Sequence, residues 1–424
     1  MKKLIVFYLL LLFHSGVVAA SQEANLKRIE VMEFKARGGL PNFLTKVSDG
    51  DSVKVAYFGG SITAQEGWRV LSLEWLKTRF PKVRFSEINA AIGGTGSDFG
   101  AFRLKDHVLR FKPDLVFVEF AVNDGGSSDE KIIRSMEGIV RQIWLQNPVT
   151  DICFIYTIHE AYLETEENGQ LPAAAKIMER VAEKYNIPSV NFGRKVSQMV
   201  INKQLIIKGE GKLLNGVKVF SPDGVHPYPE TGHMIYLEVL RQSIEIMIAE
   251  GKSKPHKHPL SKPLVPDNFS EAQMFDFSKG KLSDNWKIVQ IKDEPSFSGF
   301  GKYLEKFGKA SNSGETLSIR FKGTTIGAYD FMGPDAGKLI VTIDGVAKDT
   351  ISRFDPYCTY RRMNYFIIDH LENKIHQVIF RVLTEPFNKA VILAKIGNVI
   401  KNEDDYKENN WYVGKILVDG ILVP

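Results

Sequence analysis

Four short segments of this sequence combine residue types that can carry out nucleophilic catalysis. The first, residues 58–63 (FGGSIT), places Ser61 directly after an apolar run. Two glycines there permit a sharp turn that exposes the serine hydroxyl, as a nucleophile requires. A strand-to-helix turn in which Ser61 only caps the next helix would have the same pattern. A phosphate-binding loop fits less well, because no Gly-Lys-Ser/Thr ending follows.

The second and third segments could supply hydrogen-bond donors to a developing negative charge. Residues 89–96 (NAAIGGTG) contain Gly94, whose backbone N–H is free to point at a ligand where the glycines allow close approach. Residues 120–125 (FAVNDG) contain Asn123, whose side-chain amide could donate to an oxyanion. Asn-Asp-Gly is also a common turn composition, so each segment by itself is weak evidence.

The fourth segment, residues 221–227 (SPDGVHP), contains an acid and a base three positions apart. Asp223 can accept a hydrogen bond from the His226 imidazole, which fixes the tautomer and leaves the other ring nitrogen to take a proton. A lone histidine is usually structural, but a histidine between a glycine turn and a proline is not typical of a core. We therefore favour a catalytic interpretation of this pair.

The elements around these segments predict an α/β domain. Short apolar runs alternate with amphipathic stretches, which is typical of a parallel sheet covered by helices. The predicted strands are residues 53–58, 83–88, 115–120, 152–158 and 188–192, and the predicted helices are residues 68–80, 99–111, 129–146, 173–185 and 230–249. The first three segments follow the carboxyl ends of successive predicted strands, where open α/β sheets bind ligands. His159 and Glu160 follow the fourth strand in the same way and are candidate substrate-binding residues, although a surface loop is an equally good interpretation.

The four segments, in this order over roughly 200 residues, resemble the SGNH branch of the GDSL esterase/lipase superfamily. The resemblance implies a flavodoxin-like three-layer α/β/α fold. It also implies that Ser61 is the nucleophile, His226 the general base and then acid, and Asp223 its orienting partner. The implied oxyanion hole consists of the Ser61 and Gly94 backbone N–H groups and the Asn123 side chain. The sequence departs from the family pattern at Gly60, where the family has Asp, and at Ala121, where it usually has Gly, and both departures leave the catalytic groups in place.

The remainder of the chain predicts a different kind of domain. Residues 252–268 are rich in Pro, Lys, His and Ser and are interpreted as a linker between a domain at 21–251 and a second at 269–424. The second domain contains short alternating runs at 317–321, 339–343, 378–382 and 391–396, with a hairpin-type turn at Asp344-Gly345 and no helix of useful length. It is predicted to be an all-β sandwich, jelly-roll-like, that could bind carbohydrate. Candidate aromatic platforms for a sugar are Trp286, Tyr357, Tyr360 and Trp411.

Composition limits the remaining classes. Residues 1–20 have two lysines, an apolar run and a small-residue ending, which predicts a signal peptide cleaved near Ala20 and a periplasmic or extracellular protein. The apolar run is shorter than the ~20 residues that a membrane-spanning helix needs. The net charge of +5 comes from scattered residues, which argues against a nucleic-acid partner. Only Cys153 and Cys358 occur, and no Cys/His cluster has zinc spacing, so neither a disulfide nor a metal or other cofactor is predicted.

The sequence thus predicts a secreted serine esterase that removes ester groups, most simply O-acetyl groups, from an oligo- or polysaccharide. Two other functions remain open. A lipase or lysophospholipase would need an apolar acyl channel, and no long apolar insertion lies beside the motifs. A glycan-binding protein with a vestigial esterase domain would need no catalytic groups, although every required group is present.

Overall fold

The computed structural model describes residues 33–251, 254–311, 314–383 and 385–424. The predicted signal peptide, residues 1–20, lies outside the described residues. The chain forms two compact units, one containing the residues up to Gly100 and His107–Asn268, the other Ala101–Asp106 and Phe269–Pro424. No helix in the described ranges is both long enough and apolar enough to cross a membrane.

A six-stranded sheet forms the centre of the first unit. Its strands are β1 (Phe34–Lys35), β2 (Val53–Gly59), β3 (Phe85–Asn89), β4 (Leu115–Glu119), β5 (Asp151–Tyr156) and β6 (Ser189–Asn191). The order across the sheet is β1-β6-β5-β4-β2-β3, and all neighbours are parallel except the edge pair of β1 and β6. The five parallel strands have the 2-1-3-4-5 order of flavodoxin-like sheets, which places the topological switch point beside β2. The predicted fold class of this domain is confirmed.

Helices alternate with these strands along the chain. They are α1 (Pro41–Asp49), α2 (Ser61–Ala64), α3 (Trp68–Arg79), α4 (Ser97–His107), α5 (Asp129–Gln146), α6 (Leu163–Glu167), α7 (Ala173–Lys184), α8 (Phe192–Ile201) and α9 (Gly232–Glu250). In α5, the Ser128 side chain accepts the Lys131 N–H at the amino end, and Asp129 and Glu130 in the first turn favour the helix dipole. The apolar face of α5 is buried, as its periodicity predicts.

Most predicted boundaries agree with the structure to within two or three residues. The largest difference is the helix predicted at residues 99–111, which ends at His107 and continues as a separate 3₁₀ turn, Leu109–Phe111. Lys112 then adopts a left-handed conformation with φ of 55°. The turn continues the apolar periodicity, so periodicity alone does not reveal where the α-helix stops.

A small three-stranded sheet was not predicted. Its strands are β7 (Leu205–Lys208), β8 (Leu213–Leu214) and β9 (Val217–Ser221), in the order β7-β9-β8. The last strand ends immediately before the Asp223/His226 segment, so this sheet fixes the starting point of that segment.

Residues 254–268, predicted to be part of a linker, belong to the first unit. The backbone N–H of His256 donates to the Asn42 side chain over 2.9 Å. The Leu264 N–H donates to the buried Glu137 carboxylate over 2.6 Å. This segment therefore has a defined path along the first unit.

The second unit is dominated by antiparallel strands. They are β10 (Ala272–Asp276), β11 (Lys281–Leu282), β12 (Lys287–Gln290), β13 (Lys306–Ala310), β14 (Thr316–Met332), β15 (Lys338–Ile343), β16 (Val346–Ser352), β17 (Arg362–Ile368), β18 (Lys374–Leu383) and β19 (Trp411–Leu422). The 17-residue strand β14 pairs with β18 through its first half, with β17 through its second half, and with β19 along most of its length. Inward side chains of these strands share one apolar core, and the predicted β-sandwich class is confirmed.

Two details of the second unit differ from the sequence prediction. The prediction of a strand at Val391 to Ile396 is wrong, because this run falls largely in helix α10, Lys389–Ala394. The Asn388 side chain caps this helix by accepting the Val391 N–H, and Val391 itself is exposed. The predicted turn at Asp344-Gly345 has positive φ at both residues, as a type I′ hairpin requires, but it leads into β16, which the sequence did not reveal.

Candidate active site

The carboxyl ends of the parallel strands and the end of the small sheet bring the sequence motifs together. Ser61 is the first residue of α2 and follows β2 directly. Asn123 lies four residues beyond the end of β4. Asp223 and His226 follow β9 of the small sheet. Residues separated by more than 160 positions thereby come within hydrogen-bonding distance.

Ser61, His226 and Asp223 form a continuous hydrogen-bonded chain. Nε2 of His226 lies 2.8 Å from Oγ of Ser61. Nδ1 of His226 lies 2.6 Å from Oδ2 of Asp223. Because a carboxylate can only accept, Nδ1 carries the proton and Nε2 is left to accept from the serine hydroxyl. This is the arrangement that increases the nucleophilicity of a serine.

The local backbone also holds the Asp223 carboxylate in place. Its Oδ1 accepts the backbone N–H groups of Val225 and His226 over 2.9 and 2.8 Å. Partial burial acts to raise the pKa of Asp223, but the bonds from the His226 ring and from these two N–H groups outweigh it and lower the pKa to about 2. Asp223 therefore stays ionised across the range in which a histidine titrates.

The two glycines before Ser61 are required for space rather than for an unusual φ. Neither Gly59 nor Gly60 has a positive φ, and Gly60 is extended at φ −91°. A Cβ on Gly59 would lie 2.6 Å from the Glu119 carbonyl oxygen. A Cβ on Gly60 would lie 1.9 Å from Oδ1 of Asn123. The departure from the family pattern at Gly60 thus makes room for the position that Asn123 occupies.

The segment with the predicted glycine donor lies beside Ser61. Its start is tied to β2, because the Ile92 N–H donates to the Gly59 carbonyl over 3.0 Å. Gly94 has φ of +72°, a conformation that favours glycine. A Cβ on Gly93 would lie 3.5 Å from Cβ of Ser61, so this glycine approaches the serine side chain. The roles of Gly94, Asn123 and the Ser61 N–H as oxyanion donors remain predictions.

Sequence analysis missed a buried carboxylate behind the serine. Glu119, the last residue of β4, is fully buried and accepts the Thr63 and Thr157 hydroxyls, each over 2.8 Å. Burial raises its pKa to about 7, although these hydroxyls and the Gly60 N–H oppose the shift. An acid at the end of an otherwise apolar strand was the available signal.

Asp124 is a second buried carboxylate, next to Asn123. Its Oδ1 accepts the Ser97 N–H over 2.9 Å, and burial raises its pKa to about 7. A Cβ on Gly96 would lie 2.4 Å from this oxygen. Asp124 therefore holds the end of the glycine-containing segment against the end of β4.

His233, on α9, was also missed. Its Nδ1 accepts the Trp68 N–H over 3.1 Å, and its Nε2 lies 3.1 Å from the Gln65 side-chain oxygen. Burial, with a smaller contribution from repulsion by His226 when that ring is protonated, lowers the pKa of His233 to about 4. This neutral histidine caps the start of α3 and is not part of the hydrogen-bonded chain on Ser61.

The predicted substrate-binding residues have different surroundings. Glu160 packs against Gly224 in the Asp223/His226 segment, where a Cβ would lie 2.5 Å from its carboxylate. The Glu160 N–H also donates to the Gly224 carbonyl over 2.8 Å. His159 is partly exposed, and its Nδ1 accepts the Ala161 N–H. Both residues therefore lie beside or near the segment that carries the candidate base.

Of the aromatic candidates in the second unit, Trp411 is wrong as an exposed platform, because it is only 1% exposed and forms part of the core. Trp286 is partly buried, packs edge-on against Trp411 and donates its indole N–H to the Thr316 carbonyl. Tyr357 and Tyr360 are 56% and 58% exposed. The buried indoles stabilise the sandwich, whereas the two tyrosines are available to a partner.

A cavity of about 690 Å³ opens in the first unit. It is lined by β1, the ends of β5 and β6, and the segment around α6, including Glu33, Glu166 and Glu179. None of its lining residues belongs to the hydrogen-bonded chain of Ser61, His226 and Asp223. The hydrogen-bonded side chains of Ser61, His226 and Asp223 mark the candidate active site, and this cavity does not include them.

Comparisons with known proteins show which family and which folds the chain resembles. Residues 57–231 match the family described as GDSL-like Lipase/Acylhydrolase. A crystal structure of a two-domain esterase (CEX) active on acetylated mannans, co-crystallised with mannopentaose, aligns with 20% identity and a TM-score of 0.68 over 93% of this chain and 98% of that one. A second structure of a two-domain esterase (CEX) active on acetylated mannans aligns with 22% identity and a TM-score of 0.68 over 91% and 97% of the two chains. No curated protein sequence matches the chain.

Proposed function

From the match of residues 57–231 to the GDSL-like lipase/acylhydrolase family, we propose that the protein is a secreted serine esterase that removes O-acetyl groups from a complex carbohydrate. The observation that carries the proposal is the chain of short contacts from Ser61 Oγ to His226 Nε2 and from His226 Nδ1 to Asp223. A serine that only caps a helix needs no such partners.

In the proposed reaction, Ser61 Oγ attacks the ester carbonyl carbon while Nε2 of His226 takes the hydroxyl proton. The tetrahedral intermediate collapses when His226 returns this proton to the leaving sugar oxygen, which leaves an acyl-enzyme on Ser61. Water, deprotonated by the same nitrogen, then attacks the acyl carbon and releases the acid and free serine. Asp223 remains an anion throughout and stabilises the imidazolium.

The developing oxyanion would be bound by the Asn123 amide together with the Ser61 and Gly94 backbone N–H groups. Asn123 is packed against Gly60, next to the nucleophile. Donors that are held in position before the reaction stabilise the transition state without reorganisation.

The choice of an acetylated carbohydrate is supported by the two-domain architecture. The similar crystal structures are of an esterase described as active on acetylated mannans, and the alignment extends through both units. Fold similarity is a weaker argument than site chemistry, so mannan is the first substrate to test and acetylated xylan and pectin follow. The sequence of residues 1–20 supports export.

Ser61→Ala provides the first test. The variant should fold as the wild type does and lose almost all hydrolysis of 4-nitrophenyl acetate and of acetylated mannan oligosaccharides, with acetate release followed by mass spectrometry. Ser48→Ala, on the exposed face of α1, is the matched control and should retain full activity. Equal rates for Ser61→Ala and the wild type would exclude Ser61 as the nucleophile.

The two alternative functions give different results in the same assay. A lipase-type enzyme would hydrolyse octanoyl esters faster than acetyl esters, because its acyl channel would bind the longer chain. A glycan-binding protein with a vestigial esterase domain would bind the oligosaccharide and release no acid from any ester.

A further inference from the structure

Building on the proposed esterase function, we propose that Glu119 is a positioning residue that holds the nucleophile loop and the oxyanion loop of this enzyme in register. Its side chain is hydrogen-bonded to Thr63, Thr157 and the Gly60 N–H, and not to Ser61 or His226. It acts through hydrogen bonds to the segments that carry the reacting groups.

The contacts of Glu119 join three strand ends. Its Oε2 accepts the hydroxyl of Thr63, two residues after Ser61, over 2.8 Å. Its carboxylate also accepts the backbone N–H of Gly60, the residue before Ser61. Its Oε1 accepts the hydroxyl of Thr157, just beyond the end of β5, over 2.8 Å. Glu119 itself ends β4, four residues before Asn123.

Two of the residues that bind the Glu119 carboxylate flank the nucleophile in the sequence. Because Gly60 and Thr63 lie on either side of Ser61, the carboxylate restrains the backbone turn from which Oγ projects. Because Asn123 is reached from Glu119 by a short segment of backbone, the same carboxylate is tied to the predicted oxyanion donor. A displacement of about 1 Å at such a point can cost roughly 10²-fold in rate.

If the role of Glu119 were only structural, a buried apolar side chain would fill it at a lower cost in folding free energy. Burying a carboxylate costs several kcal/mol in general, and well-packed apolar replacements of buried ionic groups are often neutral or stabilising. Glu119 is nevertheless fully buried and accepts donors from the residues that follow both neighbouring strands. The lack of side-chain space at Gly59 also follows from this arrangement, since a Cβ there would lie 3.0 Å from Oε2 of Glu119.

The experiment uses two matched pairs of substitutions in the full-length protein. Thr63→Val removes the hydroxyl at nearly constant volume, whereas Thr63→Ser keeps it. Thr157→Val and Thr157→Ser form the second pair, at the other carboxylate oxygen. Thr45→Val is the control, because it removes a hydroxyl bond to the Pro41 carbonyl in α1, which involves none of the partners of Glu119.

We expect each valine variant to lose roughly 10-fold or more in kcat on 4-nitrophenyl acetate with little change in KM, and the serine variants to recover most of it. Glu119→Gln should be the most impaired, since an amide cannot accept from all three donors. Thr45→Val should keep the wild-type kcat. A merely structural role would lower the midpoint of thermal unfolding in the valine variants and leave kcat per folded molecule unchanged, and that result would overturn the proposal.

The rate at which a fluorophosphonate labels Ser61 reports how well the Ser61 hydroxyl is positioned, and this measurement requires no ester hydrolysis. It should fall in the valine variants and recover in the serine variants. A wild-type protein that hydrolyses no ester would contradict the proposed function alone, and the labelling rates would still decide the role of Glu119. Labelling that is equally fast in Thr63→Val, Thr157→Val and wild type would refute it.

Discussion

Steric exclusion limits which residue can precede the candidate nucleophile. Asn123 and any side chain at position 60 would occupy the same space, because a Cβ at Gly60 would lie 1.9 Å from Oδ1 of Asn123. The atom that must yield is the end of a side chain, so a substitution there is expected to displace the amide rather than unfold the protein. The family's aspartate cannot simply be restored at this position.

Gly60→Ala therefore tests whether the position of Asn123 matters. Asn123→Ala should lower kcat by about 10²–10³-fold, the typical cost of deleting an oxyanion donor. Gly60→Ala should lower kcat in the same direction, because it moves that donor. In the Asn123→Ala background the Gly60→Ala change should add little, since the two residues act through one group. Independent, multiplicative losses in the double variant would show that Gly60 acts in some other way.

At the scale of elements, ionisable groups join segments that are distant in sequence. His233 on α9 accepts the first N–H of α3, and in the second unit Asp330 of β14 is paired with Arg353, which follows β16. His233 and Asp330 are both buried, so the protonation state of each side chain is coupled to the packing of its element.

His233 should make stability depend on pH. Its pKa is lowered to about 4 in the folded protein, below the ordinary value of 6.5, so the unfolded chain binds a proton first as the pH falls. This contribution to stability is fully present above pH 6.5 and declines between there and pH 4, by at most about 1.4 kcal/mol per pH unit.

The comparison of wild type with His233→Gln isolates this effect, because the other titrating groups are shared. In denaturant unfolding at several pH values, the wild type should lose its advantage over the variant as the pH falls through that window. A difference in unfolding free energy that is constant from pH 4.5 to pH 7.5 would contradict the assignment.

The Asp330–Arg353 pair should be costly to break. The guanidinium donates to both carboxylate oxygens, over 2.7 and 2.5 Å, and the Trp411 indole N–H donates to one of them. Arg353→Met leaves Asp330 buried without its cation, and we expect a loss of about 3–5 kcal/mol in unfolding free energy. Arg353→Met combined with Asp330→Leu should recover much of it in calorimetry. A neutral single variant would show that solvent reaches Asp330.

On the scale of the whole molecule, the second unit differs from the first in what it exposes. Its tryptophans stabilise the core, whereas Tyr357 and Tyr360 remain more than half exposed. Exposed aromatic faces of this kind suit the apolar faces of sugar rings.

Tyr357→Ala with Tyr360→Ala tests whether the second unit binds glycan. We expect slower acetate release from acetylated polysaccharide and an unchanged rate on 4-nitrophenyl acetate, because the small ester needs only Ser61 and its partners. Trp286→Phe, which keeps an aromatic ring in the partly buried position, is the control for altered packing. Equal losses on both substrates would indicate a disturbed fold instead of lost glycan binding.

The sequence by itself predicted an α/β domain followed by an all-β one from apolar periodicity, and its glycines and Asp223/His226 pair suggested local chemistry. That Ser61, Asp223 and His226 act together was implied by the resemblance of the four ordered segments to a known family. The helix over Lys389–Ala394 was not predicted, because its apolar run suits a strand equally well. Only the Asn388 cap and the exposed Val391 distinguish the two structures.

Only the tertiary structure decided how the motifs support one another. The side chain of Asn123 leaves no space for a side chain at Gly60, and Glu119 leaves none at Gly59, although both residues are more than 50 positions away in the sequence. Likewise, the partners of Glu119 and His233 are hydroxyl, amide and backbone groups whose sequence context carries no distinguishing pattern. Such contacts arise from the packing of strand ends against each other, and a single sequence contains no local record of them.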